Sequence, residues 1–241
     1  YSNYYTLISS VASICAIMVT SLVPSIGNSV VTETKDKNYQ WMRSINLIYM
    51  WMSSCVAICL FSGIQLFMDL WVGEKMVFPN YVALLFPLYF YVLRMGDVKA
   101  IYQEATGLWW QNRYRAIGEI ILNIILNIWL IHIWGVSGVV IATVFSLLIV
   151  NFGLGSHIVF KYYFKNGKLK EYFLDHAVFL MCTVFSGITM YGISLELGNS
   201  IAHCIVKLLC SVCIPSLLLF LVFHKTKCFA NSIEIIRKVI K

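Results

Sequence analysis

Long apolar runs without charged side chains are the feature that most constrains this chain. Seven segments approach or exceed the roughly 20 mostly apolar residues that a membrane-spanning helix needs. Only 12% of the 241 residues are charged, against about 25% in a soluble domain of ordinary composition. Because too little polar surface remains to keep such a chain in water, the sequence predicts an all-α, polytopic membrane bundle. Its predicted helices cover residues 3–32, 44–68, 78–102, 116–133, 136–160, 176–195 and 201–223.

The basic residues lie mainly in the connections between these runs and alternate from side to side. Sixteen of the 18 Lys and Arg residues fall after the first, third, fifth and seventh runs. Because basic loops stay in the cytoplasm, the N-terminus is predicted outside and the C-terminus inside. The net charge of +7 is then explained by basic loops that set the topology and contact the head groups of anionic membrane lipids. No nucleic-acid partner is expected. Residues 224–241 carry apolar residues at helical spacing among basic ones, which predicts a cytoplasmic amphipathic tail.

Motifs that would indicate an enzyme or a bound cofactor are missing from the sequence. There is no phosphate-binding loop of the form G-x-x-x-x-G-K-[ST], no H-E-x-x-H and no G-x-S-x-G. Seven of the eight cysteines lie inside apolar runs, where cysteine behaves as a small hydrophobic residue. We therefore expect no enzymatic activity, no cofactor and no metal site. The chain also begins without methionine, which indicates a part of a longer polypeptide.

Polar residues inside the spans are costly in lipid and indicate a bundle interior or a water-filled path. In the fourth run, four such residues recur at every fourth position and therefore share one helix face. They are Arg115, Glu119, Asn123 and Asn127. Two interpretations of this stripe are open: hydrogen bonds that lock neighbouring helices together, or the wall of a hydrophilic path. The first run has a milder stripe, for which close helix packing is favoured, at Ser2, Thr6, Ser9, Ser13 and Thr20.

Charged residues also cluster around the end of the third run. Arg94 and Asp97 share a face at i,i+3 spacing if that helix continues straight. With Arg113 and Arg115 they would form a cationic mouth on the inner side of the membrane. For Lys99 and Arg113 the pattern favours ordinary basic flanking of a span.

Two further features of the runs bear on function. Lys207, in the seventh run, either extends its ammonium outward to the interface or is buried for a functional reason. Pro24, Pro87 and Pro215 lie inside runs, and each removes a backbone hydrogen bond and can bend its helix. Bent or broken helices are common in carriers that alternate their access.

Two segments resemble a known family. Residues 102–146, YQEATGLWWQNRYRAIGEIILNIILNIWLIHIWGVSGVVIATVFS, resemble a stretch that joins two helices to a third in the bacterial polysaccharide flippases, the Wzx-type polysaccharide transporter family. The start, YSNYYTLISS, resembles the helix that follows the first helix of that family's second half. Asn112 stands where the family commonly has an acidic residue, and Ala142 where it has glycine. The two matches together anchor most of residues 1–160.

The resemblance implies the C-terminal part of a two-lobe transporter of twelve to fourteen helices in the bacterial cytoplasmic membrane. Its partners would be the missing N-terminal half of the same polypeptide and the glycan polymerase and chain-length machinery. The implied cargo is an undecaprenyl-diphosphate-linked oligosaccharide, flipped to the outer leaflet for capsule, exopolysaccharide or O-antigen synthesis with an ion gradient as energy source. Substrate binding is then expected at Arg94, Arg113, Arg115, Asn123, Asn127 and Lys207, and ion coupling at Asp97 and Glu119.

Other classes remain open from the sequence. A multidrug exporter or a peptidoglycan-precursor flippase would belong to the same superfamily. A seven-helix receptor or a retinal-type pump would also have its N-terminus outside, and Lys207 lies in the seventh helix. A membrane-bound glycan polymerase is a further alternative, although it normally has a large outer loop and every predicted outer loop here is short.

Overall fold

The part of the chain that the structure describes is helical apart from short connections. The computed structural model describes residues 1–165, 167–197 and 201–240, the side chains at 201, 202, 236 and 238–240 excepted. No strand occurs in these ranges. Within these ranges, seven helices are long and apolar enough to cross a membrane, which confirms the predicted all-α polytopic bundle. These candidate spans are Ser2–Thr32, Lys35–Val72, Asn80–Ala105, Trp109–Trp134, Val136–Phe164, Leu169–Glu196 and His203–Phe223.

Several spans are built from more than one helical segment. The first contains two helices, the third contains three, and the fifth contains two α-helices with π-helical turns at Leu147–Leu154 and Phe160–Phe164. The segments are α1 (Ser2–Thr20), α2 (Val23–Thr32), α3 (Lys35–Val72), α4 (Asn80–Ala83), α5 (Leu85–Met95), α6 (Asp97–Ala105), α7 (Trp109–Trp134), α8 (Val136–Ser146), α9 (Gly155–Val159), α10 (Leu169–Glu196), α11 (Ile201–Phe223) and α12 (Lys227–Ile240).

Two of the prolines named above, Pro24 and Pro87, coincide with helix breaks. Proline has no N–H and its ring clashes with the carbonyl four residues earlier. Pro24 is the second residue of α2, just after α1 has ended at Thr20. Pro87 follows the break between α4 and α5, four residues after the last residue of α4. Pro215, by contrast, lies within α11, which continues from Ile201 to Phe223 without interruption.

Three helices begin well before the positions predicted from apolarity. The second span starts at Lys35 instead of residue 44, because the Thr34 hydroxyl caps it by accepting a hydrogen bond from the Lys37 amide at 3.3 Å. The fourth starts at Trp109 instead of 116, and the sixth at Leu169 instead of 176. Charged residues end an apolar run but not a helix. Arg113 and Arg115 therefore lie on a helix, although the sequence placed them in a connection.

The long helix α3 is the centre of the bundle, and it packs against α1, α5, α10, α11 and α12. In contrast, α7 lies at the edge and packs mainly against α8 and the turns that follow it. Leu130 is the one residue of α7 that is fully buried. The bundle therefore has a well-covered centre and an outer helix with a largely uncovered face.

The predicted tail helix forms as α12 and packs along α3. The Ser232 hydroxyl donates to the Ser44 carbonyl at 3.1 Å, and the Ser44 hydroxyl donates to the Cys228 carbonyl at 3.3 Å. Ile233, expected on the apolar face, is 37% exposed. Two further residues of that predicted face, at positions 236 and 240, lie outside the described side chains. The tail is thus joined to the bundle by hydroxyl–carbonyl contacts as well as by apolar packing.

Candidate functional site

The predicted pair of Arg94 and Asp97 forms an ion pair in the interior of the bundle. Arg94 lies in the last turn of α5 and Asp97 begins α6, and the helix break at Gly96 lies between them. The Arg94 Nη1 atom lies 2.8 Å from Asp97 Oδ2, and it donates to the Ala12 carbonyl at 2.9 Å. The Tyr49 hydroxyl donates to the same Asp97 carboxylate. One buried guanidinium thereby connects α1, α3, α5 and α6.

Lys99 is a buried cation that the sequence interpretation missed. The pattern favoured an ordinary basic flank, but the side chain is only 1% exposed. Its Nζ donates to the Asn151 backbone carbonyl at 2.9 Å and to the Asn151 Oδ1 at 3.1 Å. The available signal was its helical spacing of four and three residues from Met95 and Tyr102, which are also buried. Flanking charges in the same segment hid that signal.

Arg115 and Glu119 form a second ion pair close to Lys99. Arg115 Nη1 lies 2.9 Å from Glu119 Oε2, and Arg115 Nε donates to Asn112 Oδ1 at 2.9 Å. A Cβ atom on Gly155 would lie 2.5 Å from Lys99 Nζ and 3.4 Å from Arg115 Cδ. The two cationic side chains therefore meet over the bare backbone of Gly155. Together with the first pair, three cations and two carboxylates form one charged network within the bundle.

Asn123 and Asn127, the C-terminal half of the polar stripe on α7, form hydrogen bonds with each other and with α8. Asn123 Nδ2 donates to the Ser146 hydroxyl at 3.0 Å and to the Thr143 hydroxyl at 3.4 Å. Asn127 Nδ2 donates to Asn123 Oδ1 at 2.8 Å. Of the two interpretations of this stripe, the contacts within the chain correspond to interhelical bonding between α7 and α8. Asn127 Oδ1 is buried without a hydrogen-bond partner.

Arg113 and Lys207 do not join the charged network. Arg113 is exposed, and its guanidinium stacks on the rings of Trp110 and Tyr114. Lys207 is partly buried on α11, where it lines a cleft of about 770 Å³. The cleft lies between α1, α3 and α11, and its other polar lining includes Gln65, Asp69, Glu74 and Asn80. The eight predicted site residues thus occupy four separate places: the charged network, the asparagine contacts with α8, the surface at Arg113 and the cleft at Lys207.

The first span has an exposed polar face, which is opposite to the face that packs on the bundle. The buried side consists of Tyr4, Ile8, Ala12, Cys15 and Val19. Most members of the Ser and Thr stripe, for which close helix packing was predicted, are exposed and meet no other helix of this chain among the described residues. The polar residues on the exposed side, interrupted by Ile17 and Val31 and flanked by Ile14 and Met18, are Ser2, Asn3, Thr6, Ser10, Ser13, Thr20, Ser21, Ser25, Asn28 and Thr32.

A second ionic cluster, between α3 and α10, was also not predicted. Arg43 binds both carboxylate oxygens of Asp175, at 2.5 and 2.8 Å, and lies 3.8 Å from Glu171. One residue further along α10, His176 is 1% exposed, with Nε2 3.0 Å from Asn46 Nδ2. The sequence offered only the four-residue spacing of Glu171 and Asp175. It placed Arg43 in a connection, which concealed the pairing.

Among the described residues, no three His, Cys, Asp or Glu side chains are grouped so that they could hold a metal ion. The polar groups of the charged network are instead one ammonium, two guanidinium groups, a hydroxyl and two carboxylates. The cations suit contacts with anions, and the carboxylates pair with those cations. In comparisons with known proteins, no family model, no curated protein and no solved structure matches the chain.

Proposed function

We propose that this chain is part of a membrane transporter that carries the polar head group of a lipid through the bilayer. The cargo that agrees with the family resemblance is an undecaprenyl-diphosphate-linked oligosaccharide, flipped across the bacterial cytoplasmic membrane. A related exporter of another amphiphile from the same superfamily is the alternative. Both have the same physical requirement, which is a hydrated path beside a set of cations.

The exposed polar face of α1 and α2 is the observation that carries this proposal. Hydroxyl and amide groups are more stable beside water or other polar groups than in an apolar medium, and residues 2–32 carry many of them on one exposed side. Several of the hydroxyls, such as those of Ser10 and Ser13, donate to a backbone carbonyl one turn earlier, so it is their oxygen atoms that remain open to a polar neighbour. The contrast with α7 is informative, because its exposed side chains in the middle of the span are almost all isoleucine. The α7 face suits acyl chains, whereas the α1 face suits water or the hydroxyl groups of a sugar.

The charged network lies directly behind this polar face. Arg94 reaches the Ala12 carbonyl on the buried side of α1, so a movement of α1 would expose the guanidinium to the path. The breaks before Pro24 and at Gly96 are positions where the first and third spans can change direction. In the proposed cycle, Arg94 and Arg115 meet the diphosphate charge, while Asp97 and Glu119 exchange a coupling ion.

Water exposure of the α1 face is tested by labelling single cysteines in native membranes. In a background without the eight native cysteines, Ser10→Cys and Ser13→Cys are expected to react with a membrane-impermeant maleimide. The matched control is Ile124→Cys, which is 51% exposed on α7 and is expected to stay unlabelled because it faces lipid. Equal protection of all three positions would contradict the hydrated path.

The transport activity itself is tested by the fate of the lipid-linked sugar. A strain without the full-length gene is expected to accumulate lipid-linked oligosaccharide on the inner leaflet, and the wild-type gene is expected to remove this accumulation. The double variant Ser10→Leu/Ser13→Leu is expected to restore export severalfold less well, because it makes the α1 face apolar. Ile14→Leu, at a 65% exposed apolar position beside it, is the control and is expected to restore export fully. Normal export in the deletion strain would exclude this cargo.

A further inference from the structure

A cluster of one cation and three aromatic rings projects from the beginning of α7. The Arg113 guanidinium carbon lies 3.8 Å from the centre of the Trp110 ring and 4.4 Å from that of Tyr114. Trp110 is 71% exposed, Tyr114 67% and Trp109 65%. Arg113 Nη1 donates to the Trp110 carbonyl at 2.6 Å, which leaves most of the five guanidinium N–H groups free. Stacking fixes the guanidinium in an orientation that faces the surroundings of the bundle.

The antiparallel pairing of α7 with the fifth span brings another cation to the same end. Asn123 on α7 bonds to Ser146, and Arg115 lies beside Gly155. Residues nearer the N-terminus of α7 therefore lie beside residues nearer the C-terminus of the fifth span. The last turn of that span, which contains the exposed Lys161, is therefore level with the start of α7. Lys161 Nζ lies 5.5 Å from the ring centre of the neighbouring Tyr162.

Neither cation is neutralised by a carboxylate in the part of the chain that the structure describes. In the described ranges, neither Arg113 nor Lys161 forms an ion pair with a carboxylate. Other cations at this end do have such partners, for example Lys37 with Glu33 at 2.6 Å. Each of these two exposed cations lies beside an aromatic ring at the same level of the bundle, which is an arrangement that attracts an anion.

The position of the cluster along α7 indicates the kind of anion. Beyond Tyr114, the exposed side chains of α7 become isoleucines, which is a surface for acyl chains. The cluster thus lies where an apolar face ends, which is the level of lipid head groups and of the aromatic belts of membrane proteins. A ligand there would have its tails along the isoleucines and its negative charge at Arg113.

We propose that Trp110, Arg113, Tyr114 and Lys161 form a binding site for the phosphodiester head group of an anionic phospholipid. The site is independent of the proposed transport activity. It assigns Arg113 to the surrounding bilayer, not to the transported cargo. The stacked guanidinium binds the phosphate oxygens, and the Lys161 ammonium adds charge from the neighbouring span.

Lipid binding to the purified protein in detergent tests this site. Native mass spectrometry with dioleoyl phosphatidylglycerol and dioleoyl phosphatidylcholine is expected to show preferential retention of the anionic lipid. A cation near a membrane surface contributes about fivefold in affinity for anionic lipid. Arg113→Gln is therefore expected to weaken phosphatidylglycerol binding about fivefold, and Arg113→Gln/Lys161→Gln about 30-fold, on the same basis.

Two controls separate this site from general charge and from misfolding. Lys37→Gln removes one charge from the same end at a position that is already paired, and it is expected to leave binding unchanged. Thermal unfolding without added lipid is expected to be the same for all variants, because both side chains are exposed. Equal retention of the two lipids by the wild type, or wild-type affinity in the double variant, would overturn the proposal. Loss of a dimer in the Arg113 variants would assign the surface to a second copy of the chain instead.

Discussion

Replacement of Gly138 by alanine is expected to destabilise the bundle by about 3 kcal/mol, the upper end of the usual cost of overpacking. A Cβ atom at this position would overlap the Leu130 carbonyl oxygen and lie 2.5 Å from the Leu130 carbonyl carbon and 3.0 Å from the Ile131 amide nitrogen. These are backbone atoms of α7, so no side chain can rotate away. Gly135, with φ of +55°, is the single residue between α7 and α8, so the connection is too short for the two helices to move apart at this point.

The measurement is thermal unfolding of the purified protein in detergent, with Gly118→Ala as the matched control. Gly118 lies on α7, and an added Cβ there meets nothing within 4 Å. Because alanine is the better helix former, this control is expected to be neutral or slightly stabilising. If Gly138→Ala unfolded at the temperature of the wild type, the close approach of α7 and α8 would be wrong.

Replacement of Arg94 by methionine is expected to cost about 3–5 kcal/mol, the usual effect of removing one partner from a buried ion pair. The Asp97 carboxylate would keep its hydrogen bond from Tyr49 but lose its counter-ion. The contact with the Ala12 carbonyl, which joins α5 to α1, would also be lost. The measurement is again thermal unfolding in detergent, together with the amount of folded protein in the membrane.

The second substitution Asp97→Asn distinguishes an uncompensated charge from simple loss of packing. In the double variant Arg94→Met/Asp97→Asn no charge is left unpaired, so more than half of the lost stability is expected to return. Arg113→Met removes the same kind of side chain from an exposed position, and it is expected to change stability little. A double variant as unstable as Arg94→Met alone would show that the ion pair is not the cause.

Pairings within one helix were accessible from the sequence because they depend only on helical spacing. Arg115 and Glu119 lie four residues apart and are paired as that spacing predicts. Arg94 and Asp97 lie three residues apart and are paired although the helix breaks between them. The pairing survives because the break at Gly96 keeps a backbone close to helical, with φ of −92° and ψ of −6°.

Contacts between distant helices were not accessible in this way. Lys99 binds Asn151, which is 52 residues away, and Arg43 binds Asp175, which is 132 residues away. Periodicity shows which residues share a face, but it does not show which other helix that face will meet. In addition, both cations were treated as flanking residues, because loop charges and buried charges have the same sequence signature at the end of a span.

The sequence by itself determined the seven helices that, among the described residues, are long and apolar enough to span a membrane, because length and apolarity are local properties of each segment. Only the tertiary structure decided the environment of each face. It left the polar face of α1 uncovered, buried Lys99 and turned Arg113 outward. The physical reason is that acyl chains are as apolar as leucine. Hydrophobicity therefore cannot distinguish a face that meets lipid from one that meets another helix, and packing must decide.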